Sequence, residues 1–123
     1  MAVRNEISNR TNGGSIIVYI AGPYTGDVVE NVRNAVHAAE QVIEMGYVPY
    51  IPHLSMLWHL IAPHPVEFWY KYDLKFLAKC DCLLRLVGES TGADNEVEFA
   101  KKNGIPAYHS ISEMAIGIRN KNR

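Results

Sequence analysis

Asp73 and Glu96 are acidic residues on helix faces whose other side chains are apolar or aromatic. Around Asp73 the pattern predicts a helix over residues 67–79, in which each residue turns about 100° from the last. By that geometry the side chains within about 60° of Asp73 are those of Val66, Trp69, Tyr70, Phe76 and Leu77. A carboxylate on such a face costs several kcal/mol unless it is paired, protonated or open to a cavity.

Glu96 repeats this pattern in the helix predicted over residues 94–103. Phe99 shares its face, whereas Glu98 lies on the opposite, solvent-facing side. The alternative interpretation is a glutamate in the first helical turn, where the helix dipole favours negative charge. A capping box would also explain it, but the residue three positions earlier is Ala93, whose side chain accepts no hydrogen bond.

Two acids at one pocket suit a displacement at the anomeric carbon of a sugar, which passes through an oxocarbenium-like transition state. One carboxylate attacks the carbon, and the other handles the proton of the leaving group. The alternative is structural, with Asp73 bonded to backbone amides of a neighbouring loop and Glu96 stabilised by its own helix. Residue types and periodicity alone therefore predict a candidate acid pair in an α/β pocket.

The elements that must position these acids follow from an alternation of strand and helix patterns. We predict strands at 16–21, 48–51, 82–86 and 105–108, and helices at 28–43, 54–61, 67–79, 94–103 and from 111 onwards. The first strand is a continuous apolar run, typical of a strand covered on both faces, and Pro49 places the second strand at an edge. The alternation predicts a single doubly wound, flavodoxin-like or Rossmann-like α/β fold, with a parallel sheet of four to five strands flanked by helices.

Sheets of this kind bind ligands beyond the carboxyl ends of their strands, where the strand order reverses. That rule selects the loops at residues 22–27, 52–55 and 87–93, each of which follows a predicted strand. Both acids follow elements that lead to the same edge of the sheet. We therefore expect Asp73 and Glu96 to face one crevice.

Composition limits the class of protein. With 123 residues, of which 48% are hydrophobic and 20% charged, the chain is predicted to form one globular domain at 16–118, between a flexible leader at 1–15 and a basic tail at 119–123. A formal net charge of -1 argues against binding to a nucleic acid polymer, and the apolar runs are too short to span a membrane. The polar start carries no signal-peptide pattern, and we interpret Cys80 and Cys82 as reduced thiols on one face of a strand, in a cytoplasmic protein.

Three segments of the sequence resemble the nucleoside 2-deoxyribosyltransferase superfamily, which also includes the 2′-deoxynucleoside 5′-phosphate N-hydrolases. They are VYIAGPY at 18–24, DLKFLAKCD at 73–81 and STGADNEVEFA at 90–100. The segments follow the family's order and intervals, and the resemblance covers about residues 16–108. It implies an enzyme that cleaves the N-glycosidic bond of a nucleoside or 2′-deoxynucleotide and passes the sugar to another base or to water.

The resemblance also implies roles for individual residues. Glu96 ends the S-x-G-x-x-x-E segment and corresponds to the nucleophile that forms a glycosyl-enzyme intermediate. Asp73 corresponds to the aspartate that contacts the sugar and assists proton transfer to the base, and Tyr19 to the tyrosine that orients the nucleophile. Asp81, which opens the third strand, is interpreted as structural.

Substrate binding is expected mainly from the loops. The candidate substrate-binding residues are Gly22, Pro23, Tyr24, Thr25, His53, Ser90 and Gly92. The monophosphate hydrolases carry a serine and an arginine for phosphate in the first loop, where this chain has Pro23 and Thr25. The first loop is therefore more similar to that of the transferases, although the chain is shorter than a typical transferase and lacks an evident C-terminal extension.

Several further predictions concern partners and cofactors. The resemblance implies a small-molecule nucleoside or nucleotide substrate, no cofactor, and a homodimer or higher homo-oligomer. The spacing of His53, His59 and His64 fits no zinc pattern, so we predict no metal site. His53 lies at the crevice rim and either contacts the base or bonds to backbone, and Trp58 is expected to roof the base if it does not belong to the core. Arg85 lies in an apolar strand and requires either a carboxylate or a subunit contact.

Two alternative functions compete with catalysis. The first is a non-catalytic module that binds or senses nucleotides with the same pocket. The second is a structural or interaction protein in which the fold itself satisfies Asp73 and Glu96. Neutralising either acid would lower stability in a structural protein, whereas in an enzyme Glu96→Ala would abolish activity at no cost in stability.

Overall fold

Strands and helices alternate along residues 15–121, the part of the chain that the computed structural model describes. The elements are β1 (Ile17–Ala21), α1 (Val28–Glu44), β2 (Val48–Tyr50), a 3₁₀ helix (Pro52–Ser55), α2 (Met56–Ile61), α3 (Val66–Leu77), β3 (Cys82–Arg85), α4 (Thr91–Lys102), β4 (Ala107–Tyr108) and α5 (Ile111–Lys121). Most of the predicted leader and the last two residues lie outside this part. The first three residues of the predicted basic tail belong to α5. No helix within 15–121 has the length and apolar character needed to cross a membrane.

The four strands form one sheet in the order β2-β1-β3-β4, and every neighbouring pair is parallel. This confirms the predicted α/β class and the parallel sheet. The proline-containing strand β2 lies at an edge, as Pro49 predicted. The chain passes from β1 to β2 on one side and then returns across β1 to β3 on the other. The strand order therefore reverses between β1 and β3, which is where a ligand crevice is expected.

Both faces of the sheet are covered, because alternate residues of β1 belong to two separate clusters of buried side chains. Val18 and Ile20 pack with residues of α1 and α5, whereas Tyr19 and Ala21 pack with residues of α3 and α4. The continuous apolar run of β1 follows directly from this double burial. The second layer, α3 and α4, carries both candidate acids.

The two cysteines lie on opposite faces of the sheet, so the expectation that they share a face was wrong. Cys80 belongs to the cluster under α3 and α4, and Cys82 to the cluster under α1 and α5. Cys80 precedes the first residue of β3, so the alternation of a strand does not apply to it. Both thiols are free, and burial raises their pKa to about 11 and about 12, respectively, which keeps them protonated.

Helix α4 begins at Thr91, three residues earlier than the predicted start at Asp94. Ser90 is its N-cap, since the Ser90 Oγ accepts a hydrogen bond from the Ala93 amide at 3.0 Å. Glu96 therefore lies in the second turn of the helix. Stabilisation by the helix dipole, which fades beyond the first turn, is a weaker explanation for this glutamate than the sequence indicated.

Candidate active site

A cavity of about 340 Å³ opens at the carboxyl ends of β1, β2 and β3, within the range of small-ligand sites. All three loops selected from the sequence contribute to its wall. The residues from these three segments that line it are Gly22, Tyr24, Thr25, Pro52, His53, Ser55, Ser90, Thr91, Gly92 and Ala93, of which the last three belong to the first turn of α4. Asp73 and Glu96 line the same cavity. The two acids are thus brought together, as their predicted roles require.

Helix α3 forms one wall of the cavity with a stripe of side chains three and four residues apart. The stripe consists of Val66, Trp69, Tyr70 and Asp73. The sequence indicated that this face packs into the core, but Leu77 is the buried residue of α3 and Val66 is 80% exposed. The face looks into a ligand-sized opening, and an aspartate at its centre can therefore meet a substrate.

The Glu96 carboxyl group is held by a hydrogen bond from Tyr19. The Tyr19 hydroxyl, on a fully buried side chain of β1, donates a hydrogen bond of 2.5 Å to Glu96 Oε2. Glu96 itself is 8% exposed, and burial raises its pKa to about 7, although the Tyr19 hydrogen bond and the charge of Arg85 each lower it. Burial and the nearby Glu96 raise the pKa of Tyr19, so the phenol remains a donor.

Asp73 lines the same cavity as Glu96. Its Oδ1 is buried and accepts no hydrogen bond within the described part of the chain. Burial, and then the charge of Glu96, raise its pKa to about 7. The structural alternative needed backbone amides around Asp73, but that arrangement occurs at Asp81, whose Oδ2 accepts from the Ile17 amide at 2.7 Å.

His53 forms the backbone hydrogen bonds that one of its two interpretations required, and it lies at the cavity where the other would place it. It lines the cavity, and its Nε2 donates to the carbonyl oxygens of Gly22 and Pro23 at 3.2 and 3.1 Å. Burial lowers the pKa of His53, which favours the neutral ring, and its Nδ1 is buried with no hydrogen-bond partner in residues 15–121. Pro23 contributes its carbonyl oxygen to this contact but does not line the cavity.

A side chain at residue 22 would crowd Leu86. A Cβ added there would lie 3.0 Å from the Leu86 Cβ, closer than ordinary van der Waals contact. The first loop can therefore approach the end of β3 because residue 22 has no side chain.

Two residues that line the cavity, His59 and Trp69, were not among the substrate-binding residues expected from the sequence, and Trp58, expected to roof the base if it was not core, does not line it. Trp69 and Tyr70 line the cavity, whereas Trp58 packs edge-on against Trp69 with 5.0 Å between ring centroids. His59 also lines the cavity, and its Nδ1 accepts a hydrogen bond of 2.8 Å from the Trp69 indole. The signal for Trp69 was present, because it precedes Asp73 by four residues on one helix face.

The charges that line the cavity come from the two acids and, when protonated, the two histidines. No lysine or arginine is among its lining residues. Within residues 15–121 there is also no group of three histidine, cysteine, aspartate or glutamate side chains that could hold a metal ion. The titratable side chains that line the cavity are those of Asp73, Glu96, His53, His59, Tyr24 and Tyr70.

Comparison with known proteins supports the fold. Residues 16–110 match the family model described as "Domain of unknown function (DUF7768)", and no curated protein matches the chain. A 2-deoxyribosyltransferase from Bacillus psychrosaccharolyticus, described as a biocatalyst for nucleoside synthesis, shares the fold with a TM-score of 0.57 and 19% identity over 74% of this chain and 69% of that one. A conserved protein from Enterococcus faecalis V583 has a TM-score of 0.61 and 20% identity over 76% of this chain and 62% of that one.

Proposed function

This chain belongs to the family described as a domain of unknown function (DUF7768), and we propose that it cleaves the N-glycosidic bond of a nucleoside through a covalent sugar–Glu96 intermediate. The observation that carries the proposal is the pair of acids lining one cavity, with one of them held by the Tyr19 hydroxyl. The fold shared with a 2-deoxyribosyltransferase supports it further.

The reaction uses each acid in a different protonation state. The Glu96 carboxylate attacks C1′, the bond from C1′ to the base nitrogen breaks, and its electron pair leaves with the base. The Asp73 carboxyl donates its proton to the departing base. Water or a second base then attacks C1′ and displaces Glu96, and the Asp73 carboxylate takes up the proton of the incoming group.

The surroundings of the two acids support this assignment of roles. The Tyr19 hydrogen bond and the Arg85 charge both stabilise the ionised form of Glu96. Asp73 has no such donor among the described residues, its Oδ1 is buried, and Glu96 opposes its ionisation. When the pair holds one proton, that proton belongs on Asp73.

The charge of the cavity favours a nucleoside with a free 5′-hydroxyl over a 5′-monophosphate. Two carboxyl groups line the cavity, and no lysine or arginine does. Pro23 and Thr25 occupy the first loop, so it supplies no cation to a phosphate. The rings of Trp69 and Tyr70 provide an aromatic wall on which a nucleobase can stack.

The proposal is tested by incubating the protein with a panel of nucleosides and 5′-monophosphates, with and without a second free base, and measuring released or exchanged base by chromatography. We expect release from nucleosides, loss of at least about a thousandfold in Glu96→Gln, and unchanged activity in Glu98→Gln, its exposed neighbour on the same helix. Turnover undiminished in Glu96→Gln, or no turnover of any compound, contradicts the proposal. Tight binding of a nucleotide that is recovered intact would instead identify a non-catalytic sensing module.

A further inference from the structure

Arg85 is a buried cation whose partners all belong to the segment leading to Glu96. Building on the proposed function, we propose that Arg85 is a positioning residue that fixes the connection between β3 and α4 and holds a positive charge near the nucleophile. Arg85 is the last residue of β3, pairs with Ala21 of β1 and is 9% exposed. It therefore lies at the edge of the sheet where the cavity opens.

Three acceptors converge on the guanidinium. The Arg85 Nη1 donates to the Leu86 carbonyl oxygen, and the Nη2 donates to the Gly88 carbonyl oxygen at 3.0 Å and to Asp94 Oδ1 at 2.9 Å. These contacts join the end of β3, the middle of the loop and the first turn of α4. Along the chain, Ser90 follows Gly88 by two residues and Glu96 follows Asp94 by two residues. Movement of this connection would therefore displace both.

The stability gained from these contacts is a weak reason for an arginine at this position. The side chain of Asp94 is 70% exposed, and an ion pair with one exposed partner contributes only about 0–1 kcal/mol. Apolar replacements of buried ionic groups are often neutral or stabilising. A role in the site accounts for the arginine better than a role in folding.

The backbone conformation of Gly88 explains why its hydrogen bond with Arg85 matters. Gly88 has φ +118, a conformation that residues with a side chain rarely adopt, and a Cβ there would lie 2.8 Å from the Pro23 ring. The loop after β3 therefore packs against the loop after β1 in one particular shape. The hydrogen bond from the Arg85 guanidinium to the Gly88 carbonyl oxygen stabilises this loop conformation.

The charge of Arg85 acts on Glu96 in addition to these hydrogen bonds. Besides His53 and His59, which line the same cavity, the described titratable groups that interact electrostatically with Glu96 are Tyr19 of β1, Tyr50 of β2, Asp73 and Tyr70 of α3, and Arg85 of β3. Arg85 is the cation among them, and its charge lowers the pKa of Glu96. Replacing the arginine with a neutral side chain removes that effect and leaves the negative charges in place.

The test compares Arg85→Gln, which is neutral, with Arg85→Lys, which keeps the charge but not the planar donor geometry. Lys102→Gln, at the far end of the same helix, is the matched control for loss of a positive charge. The readouts are the pH dependence of kcat and KM for base release, and an NMR titration of the Glu96 carboxyl carbon in the ligand-free protein, assigned by its absence in Glu96→Gln.

We expect Arg85→Gln to move the acid limb of the profile and the Glu96 titration upward by about half to one pH unit, and to lower kcat about tenfold with a smaller change in KM. Arg85→Lys is expected to keep the wild-type titration and still lose several-fold in kcat, whereas Lys102→Gln changes neither. Wild-type kcat in Arg85→Lys, or an unshifted Glu96 titration in Arg85→Gln, overturns the inference.

If Arg85→Gln does not fold, Arg85→Lys still decides the positioning role. Because the titration needs no turnover, a shifted Glu96 in a protein that releases no base would reject the proposed function and retain the effect of Arg85 on Glu96.

Discussion

Glu96 is buried, so its ionised form is poorly solvated and the charge lowers the stability of the folded state. Its folded pKa is about 7 against an ordinary value of 4.5. The folded state therefore binds more protons than the unfolded state between these values, and the stability contributed by this group falls as the pH rises through them. The cost is absent below about pH 4 and fully present above the folded pKa.

The first prediction follows from the direction of this pH dependence of stability. Glu96→Gln keeps an acceptor for the Tyr19 hydroxyl and removes the buried charge, so we expect the free energy of unfolding to rise by about 1–3 kcal/mol at pH 8 and to stay unchanged near pH 4. Urea denaturation at the two pH values measures this difference. Glu98→Gln, on the exposed face of the same helix, is expected to change little at either pH. A Glu96→Gln protein less stable than wild type at pH 8 would indicate the structural role instead.

The second prediction concerns activity, because the two acids must differ in protonation. The proposed mechanism requires ionised Glu96, whose fraction rises with pH, and protonated Asp73, whose fraction falls with pH. With the pKa of each acid raised to about 7, kcat/KM should follow a narrow bell centred near neutrality. We expect Asp73→Asn to flatten the alkaline limb and to slow most the substrates with poor leaving groups. Activity that keeps rising up to pH 10 in the wild-type protein would contradict the assignment of Asp73 as the acid.

At the level of elements, α4 brings the N-cap Ser90 and Glu96 to the same cavity. The Ser90 Oγ accepts from the Ala93 amide, so its capping role competes with any contact that it makes to the sugar. Ser110 caps α5 in the same way, by accepting from the Glu113 amide at 3.0 Å, and does not line the cavity. The two serines are therefore a matched pair.

The third prediction uses that pair. Ser90→Ala and Ser110→Ala should each lower the free energy of unfolding by about 1 kcal/mol, measured by urea denaturation. Only Ser90→Ala should also lower kcat/KM, since it loosens the first turn of the helix that carries Glu96. Ser90→Asp restores the cap and the stability. Equal activity losses in the two alanine variants would show that the effect reflects general destabilisation.

The order of elements could be predicted from the sequence because it depends on local patterns. Apolar runs and helical periodicity predict the parallel strands of the sheet. Pro49 by itself predicts that its strand lies at an edge. The start of α4 was missed because Thr91 and Gly92 are poor helix formers, and a single serine side chain outweighs them. A cap of about 1 kcal/mol decides such a boundary, and propensity averaged over a window does not detect it.

The two acids could be predicted because a charged residue on an apolar face is visible in the sequence. Periodicity could not distinguish a core from a cavity, since aromatic side chains such as Trp69 line both. The contacts of Arg85 with the Gly88 carbonyl and with Asp94 depend on a loop conformation that no periodic pattern records. Pairwise contacts between loops and helix ends are therefore the part of the site that only coordinates reveal.

At the level of the whole molecule, an apolar surface beside the cavity is exposed within residues 15–121. Residues 51–66 contain no aspartate, glutamate, lysine or arginine, and α2 has no buried residue. Leu57, Leu60 and Ile61 of that helix are 62%, 70% and 77% exposed. Monomeric proteins rarely expose contiguous patches of this kind, and an uncharged face is complementary to a second copy of itself.

The fourth prediction is therefore a homodimer or higher homo-oligomer that buries α2. Sedimentation or light scattering should find the wild-type chain associated at micromolar concentration and Leu60→Glu monomeric. Ile116→Glu, which places the same charge on an exposed apolar position of α5, should stay associated. Because His59 of α2 lines the cavity, separation of the subunits should raise KM while leaving Tyr19 and Glu96 in place, so that kcat changes less. A monomeric wild-type chain with full activity would show that the exposed face of α2 serves a different partner.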